Sequence, residues 1–144
     1  MLVIGTLTKR HLAACSSLYE ETFNAPPWSE SWRGEDATQR LLDILETPRA
    51  YGVCASTSDG DLVGFALGHL ERYGPEDHFL LQEMCVRPAR QRQGLGTALL
   101  EALRRRLPDV RQWYLLTTRD SVASKFYERN GFRPAGRVRV FVWP

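Results

Sequence analysis

The chain has 144 residues, enough for one domain with one core and too few for two of ordinary size. It is 43% hydrophobic and 25% charged, which fits a globular protein and excludes a disordered tail. Nineteen basic against seventeen acidic residues leave a formal charge of +2, and no apolar run approaches the roughly 20 residues of a membrane span; neither a basic nucleic-acid module nor a membrane protein is indicated.

The opening Met1-Leu2-Val3-Ile4-Gly5 is too short for a signal peptide. Leu2 to Leu7 reads as a strand, followed by Thr8 as a helix N-cap. Leu12, Cys15, Leu18, Tyr19, Thr22 and Phe23 then recur at helical spacing until Pro26-Pro27 breaks the run. A second helix carries Ala37, Leu41, Leu42 and Leu45 and stops before Pro48.

The period then changes to two. Tyr51, Val53 and Ala55 alternate, Ser58-Asp59-Gly60-Asp61 turns, and Leu62 to Leu70 returns as the second arm of a hairpin. Glu71 to His78 reads as a loop and Phe79 to Val86 as a strand. After Gly96 a helix buries Leu99, Leu100, Leu103 and Leu107 and ends at Pro108. Strand Trp113 to Thr118, helix Ser121 to Arg129 and a closing strand Gly136 to Trp143 complete the chain, the last with Val138, Val140 and Val142 in strict alternation. The order β α α β β β α β α β predicts a single α/β domain over residues 1–144: a mixed, twisted sheet with helices on both faces. Cys15, Cys54 and Cys85 form no CxxC pair and stand among apolar neighbours. They read as reduced, buried thiols in a cytoplasmic protein, with no metal site.

The strongest chemical signal is Gln91-Arg92-Gln93-Gly94-Leu95-Gly96-Thr97, lying between a strand and an amphipathic helix. Glycines let backbone approach a ligand, and the first amides of a helix are unpaired donors at its positive end. Such a turn suits a pyrophosphate. No Lys-Ser or Lys-Thr follows, so it is not an ATP P-loop, and Leu99 stands where a dinucleotide fingerprint requires a small residue.

Gln91-x-x-Gly94-x-Gly96, preceded by Glu83-Met84-Cys85-Val86-Arg87-Pro88, resembles the acetyl-CoA motif of the GNAT superfamily of N-acetyltransferases. Phe126-Tyr127-Glu128 with Gly131-Phe132 resembles that family's second signature. The resemblance implies an acyl-CoA N-acyltransferase fold and acetyl-CoA as cosubstrate. It also implies that the backbone of Met84, Cys85 and Val86 holds the pantetheine arm and the amides of Gln91 through Thr97 hold the diphosphate. One departure is Asp120, where many members carry Asn; it receives no binding role.

The implied reaction is attack of a primary amine on a thioester. An amine of pKa about 10.4 is some three units from neutral at cytoplasmic pH, roughly 4 kcal/mol of missing nucleophile, so a base or a water chain ending in one is needed. Glu83 is the candidate: by alternation it shares a face with apolar Phe79, Leu81 and Cys85, where desolvation raises its pKa. By resemblance, Tyr127 protonates the departing thiolate. A backbone N–H near Cys85 polarises the thioester carbonyl, and Cys85 is not needed as a nucleophile. Trp28, Trp32 and Tyr73 are candidate walls of the acceptor pocket. The acceptor reads as a small molecule ahead of a protein or peptide amine, with a CoA-binding sensor as the reading outside enzymes. The closing strand also offers a surface for a homodimer.

Overall fold

The computed structural model describes all 144 residues. Strand β1 (Leu2–Thr6) leads through a 3-10 turn at Lys9–His11, with Thr8 at its N-cap, into helix α1 (Leu12–Asn24) and helix α2 (Gly34–Leu45). Strands β2 (Ala50–Thr57), β3 (Leu62–Tyr73) and β4 (Glu76–Val86) form a meander. Helix α3 (Leu95–Arg106) crosses to strand β5 (Val110–Tyr114), and helix α4 (Val122–Arg129) follows. The five strands lie in chain order, antiparallel from β1 to β4 and parallel between β4 and β5.

The sheet separates two apolar cores. On one face α1 and α2 pack Cys15, Leu18, Ala37, Leu41 and Ile44 against Phe65, Leu67 and Cys85. On the other, α3 brings Leu95, Leu99, Leu100 and Leu103 onto Val53, Val63, Phe79 and Leu81, with Phe126, Tyr127 and Phe132 packed alongside. This is the expected mixed sheet with helices on both faces. In α2 Ile44 is the buried residue and Leu42 is not, because positions 37, 41 and 44 stack one above another on a helix.

Three strand boundaries differ from the sequence reading. Glu71 to His78 is not a loop: β3 and β4 continue until Tyr73 pairs with Glu76, leaving a two-residue turn at Gly74-Pro75. Gly74 takes φ 60°, the conformation a two-residue hairpin demands at its first position. Strand β5 starts at Val110 and stops at Tyr114 instead of running from Trp113 to Thr118. The expected closing strand Gly136 to Trp143 pairs with no strand of its own chain, since alternation specifies a strand without supplying a neighbour.

The fourth difference is a β-bulge. Leu67 pairs with Glu83 but Gly68 pairs with Leu81, so Gln82 is an extra residue on β4. The bulge reverses the alternation. Phe79 and Leu81 belong to the α3 core, whereas Cys85 lies in the α1–α2 core and Glu83 faces α1 and α2. Glu83 therefore does not share a face with Phe79 and Leu81 as expected. Gln82 and Glu83 both project towards α1 and α2, side by side.

Candidate active site

Strand β4 is paired to β5 only from Asp77 to Leu80. From Leu81 to Val86 its outer edge is open, and this opening separates the two halves of the sheet. The Arg87 N–H donates to the Val63 C=O of β3 at 2.9 Å. By alternation the peptide groups of Cys85 also face β3, and those of Met84 and Val86 face the opening. The Val86 C=O accepts from the Gln91 amide at 3.0 Å, in line with that direction. Cys85 thus has its backbone turned towards β3, while the peptide groups of Met84 and Val86 face the opening.

Beyond β4, Gly94 caps α3 in the left-handed region, φ 82°. The Gln91 N–H turns back to Pro88 at 3.3 Å and the Ala98 N–H to Gly94 at 3.0 Å. Between them the amides of Arg92, Gln93, Gly94, Leu95, Gly96 and Thr97 make no hydrogen bond within the protein. These bare donors gather at the positive end of the helix dipole, an arrangement that can hold a diphosphate. Gln93 braces the turn through a 3.4 Å bond to the Ala89 C=O, and Arg90 and Arg92 make no ion pair.

Gly96 has a separate reason to lack a side chain. A Cβ there would lie 2.9 Å from two ring atoms of Phe126 and 3.5 Å from Met84 Cε. The two sequence signatures, far apart in the chain, thus touch at this point. Ser121 caps α4 by accepting from the Ser124 N–H at 3.1 Å, and the helix delivers Tyr127 so that its hydroxyl meets Met84 Sδ at 3.8 Å. Burial, with the nearby Glu83 charge, pushes the Tyr127 hydroxyl up to about 12, so it keeps its proton throughout the neutral range.

On the opposite face Glu83 is 7% exposed. Arg40 Nε donates to Glu83 Oε1 at 2.6 Å, and the Tyr19 hydroxyl donates to the same oxygen at 3.4 Å. Burial raises the pKa of Glu83; Arg40 opposes this and does not cancel it. Tyr19 in turn meets Trp32 edge-on at 5.0 Å, and Arg40 lies 6.0 Å over the Trp32 ring. Asn24 pins Trp32 by accepting from its N–H at 2.7 Å and donating to its C=O at 2.9 Å. Trp28 stands further out, packed on Phe23 at 5.6 Å. Removing the guanidinium with Arg40→Met is expected to raise the Glu83 pKa further and move the acidic limb of the pH–rate profile up by about one unit. A limb that stays in place would mean that it belongs to another group.

Tyr73 is not part of this cluster. It is 59% exposed at the β3–β4 hairpin and stacks on His78 at 4.7 Å. Its pairing partner Glu76 lies seven residues before Glu83, about 23 Å along the strand at ~3.3 Å per residue. The acids beside it are engaged in pairs: Asp77 is held by Arg49 at 2.6 Å and Arg72 at 3.2 Å, and Glu76 by His78 at 2.9 Å.

Sequence reasoning missed a second polar row beside Glu83. His69 Nδ1 meets Gln82 Oε1 at 2.7 Å and His69 Nε2 meets Glu71 Oε2 at 3.3 Å. The Tyr114 hydroxyl donates to Glu71 Oε1 at 2.5 Å. Next to it opens a cleft of about 460 Å³ whose walls include Asp36, Gln39, Arg40, Asp43 and Gln82. Asp36 is engaged by Arg33 at 2.7 Å, while Asp43 has no cationic partner and accepts only from Gln39. Tyr19 and Arg40 carried no separate signal, since one falls on an apolar helical face and the other on a polar one. No group of three or more His, Cys, Asp or Glu residues is arranged to hold a metal ion, and no helix is long and apolar enough to cross a membrane.

A mixed sheet opened beside its parallel pair, with bare amides at the helix start next to the opening, defines the class of acetyl-CoA-dependent N-acetyltransferases. The acetyltransferase (GNAT) domain matches residues 47–134, more than half of the chain, and the chain belongs to the GNAT acetyltransferase family. A probable acetyltransferase of known structure shares the fold at TM-score 0.80 and 21% identity, over 99% of this chain and 97% of that one. The aminoglycoside N-acetyltransferase AAC(6')-Iy in complex with CoA does so at TM-score 0.75 and 18% identity, over 99% and 95%. The same enzyme with the bisubstrate analogue CoA-S-monomethyl-acetylneamine gives TM-score 0.75 and 20% identity, over 100% and 99%. No curated protein sequence matches the chain.

Proposed function

We propose that this protein, as a single catalytic domain over residues 1–144, moves the acetyl group of acetyl-CoA directly to a primary amine of a small cationic molecule. The observation that carries the reading is the run of six unpaired amides from Arg92 to Thr97 beside the open edge of β4. In this reading the loop Gln91–Thr97 holds the diphosphate. The peptide groups of Met84 and Val86 bond the pantetheine arm, and the Met84 N–H polarises the thioester carbonyl.

The amine enters from the α1–α2 side, where Asp43, Glu71 and Glu83 favour a cation and Trp32 walls the pocket. Glu83, directly or through one water, takes a proton from the ammonium. The freed nitrogen forms a bond to the carbonyl carbon, the C–S bond breaks, and the electron pair leaves on sulfur. Tyr127, still protonated, hydrogen-bonds that sulfur as charge builds on it and supplies the proton of the CoA thiol. The acetylated nitrogen sheds its second proton through water, which restores the Tyr127 hydroxyl, and Glu83 releases its own proton to solvent. Tyr127→Phe is expected to lower kcat about 100-fold with the Kd for acetyl-CoA unchanged. Full turnover with bound acetyl-CoA would remove Tyr127 from the reaction.

The aminoglycoside N-acetyltransferases among the structural relatives, one with a CoA–acetylneamine bisubstrate analogue, support a polycationic small-molecule acceptor, as does Asp43 in the cleft, which has no cationic partner. A thiol-release screen with acetyl-CoA against polyamines, aminoglycosides, amino acids and lysine peptides tests it. Release with peptides alone would make a protein or peptide amine the acceptor. Thermal stabilisation by CoA without release for any amine would make the chain a CoA-binding sensor. Cys15, Cys54 and Cys85 are all free and buried, which suits the reducing cytoplasm.

A further inference from the structure

The direction in which Glu83 points depends on a single unpaired residue. Leu67 stands opposite Glu83 and Gly68 opposite Leu81, so Gln82 has no partner on β3. Were the extra residue beyond Glu83 instead, the carboxylate would keep step with Phe79 and Leu81 and face the α3 core. Backbone packing fixes one side of the bulge: a Cβ on Gly68 would run into the Leu80 carbonyl oxygen and lie 2.8 Å from the Phe79 ring. Side chains fix the other. His69 Nδ1 meets Gln82 Oε1 at 2.7 Å and its Nε2 meets Glu71 Oε2 at 3.3 Å, while the Tyr114 hydroxyl donates to Glu71 Oε1.

Tyr114 pairs with Leu80 at the last rung before β4 and β5 part. The row therefore runs from β5 over β4 to β3 and returns to the β4 residue that the ladder skips. His69 is its hub: both ring nitrogens are engaged, and its side chain is 16% exposed. We propose that His69 is a positioning residue that, braced by Glu71 and Tyr114, grips the Gln82 amide, holds the bulge in place and so aims the Glu83 carboxylate at the acceptor cleft. It bonds neither Glu83 nor Tyr127 and acts only through the course of β4. A supporting shell of this kind decides whether a site residue keeps its geometry to within about half an ångström. The inference rests on Glu83 as the base of the proposed reaction.

His69→Asn and His69→Gln divide the two contacts. The asparagine amide occupies the place of Nδ1 and keeps the bond to Gln82, whereas the glutamine amide reaches the place of Nε2 and keeps only the bond to Glu71. His69→Asn is expected to hold kcat/KM within about threefold of wild type, and His69→Gln to lower it about tenfold or more, with the Kd for acetyl-CoA unchanged in both. In a Glu83→Gln background the difference between the two should vanish, because the row acts through that carboxylate. A second readout needs no turnover: the titration of the Glu83 carboxyl, followed by carbon NMR of glutamate-labelled protein and assigned by its loss in Glu83→Gln. The charged and titratable groups around it, Arg40, Tyr19, Glu30 and Tyr127, are the same in both variants. Its midpoint is expected to fall towards that of an exposed glutamate in His69→Gln and to stay in place in His69→Asn. Equal losses in the two variants, or a Glu83 midpoint unmoved in His69→Gln, would overturn the proposal. Full turnover by Glu83→Gln alone would instead remove the base assignment, and the midpoint would still decide whether His69 holds the bulge.

Discussion

Glu83→Gln is expected to lower kcat/KM at pH 7 by about 100-fold or more, the scale on which a positioned general base acts. The acidic limb of the pH–rate profile should disappear with it. The carboxyl is nearly buried, and its pKa stands above the ordinary 4.5, so the wild-type limb lies at higher pH than a surface glutamate would give. Stability separates this from a structural role. A carboxyl whose folded pKa is raised stabilises the fold below its unfolded pKa and loses that contribution as pH rises through the folded value. Neutral glutamine carries no such loss and still accepts from Arg40 and Tyr19. Glu83→Gln is therefore expected to hold its Tm at pH 7 or raise it, with the difference vanishing below about pH 4. A variant that loses activity and Tm together would make Glu83 a structural residue, and an unchanged pH–rate profile would exclude it as the base.

Gly96→Val is expected to damage binding and stability at once. Its Cβ alone would stand 2.9 Å from the Phe126 ring, and the two methyls of valine press further into the same space. Phe126 has little freedom to yield, because it meets Tyr127 at 5.2 Å and Tyr127 meets Phe132 at 5.6 Å. Overpacking of this kind costs about 1–3 kcal/mol. The first turn of α3 also has to shift, and a displacement of the order of an ångström misaims amides that must converge on one diphosphate. The Kd for CoA, read by calorimetry, should rise at least about tenfold, and the Tm should fall. Adding Phe126→Ala opens the space and should recover part of both losses, a coupling that distant sites would not show. Additive effects would break the proposed link between the loop and α4.

Much of the site was legible because it is local. The proposed diphosphate loop needs a strand, a glycine able to take positive φ, and a helix start, all within a dozen residues; Gly94 and Leu95 supply the last two. The aromatic pair on α4 reads as an apolar helical face with a capping serine before it. The order of elements and the two-faced sheet follow from periodicity, since a period of two or 3.6 fixes which side chains must be covered.

Pairing and register were not legible, because they depend on partners far away in the chain. Gly74-Pro75 looked like part of a loop until Tyr73 and Glu76 faced each other across it. The bulge at Gln82 carries no mark of its own, yet it turns Glu83 from the α3 core towards Arg40 and Tyr19. The row from Tyr114 through Glu71 and His69 to Gln82 joins three strands, and no spacing in the chain announces it. The amino-acid order by itself determined the helices, most of the strands and the glycine turn at the start of α3, because each arises from neighbours along the backbone. Only the tertiary structure decided which carboxylate is desolvated, which peptide groups face the opening and which edge stays unpaired. Those properties belong to groups brought together from distant parts of the chain.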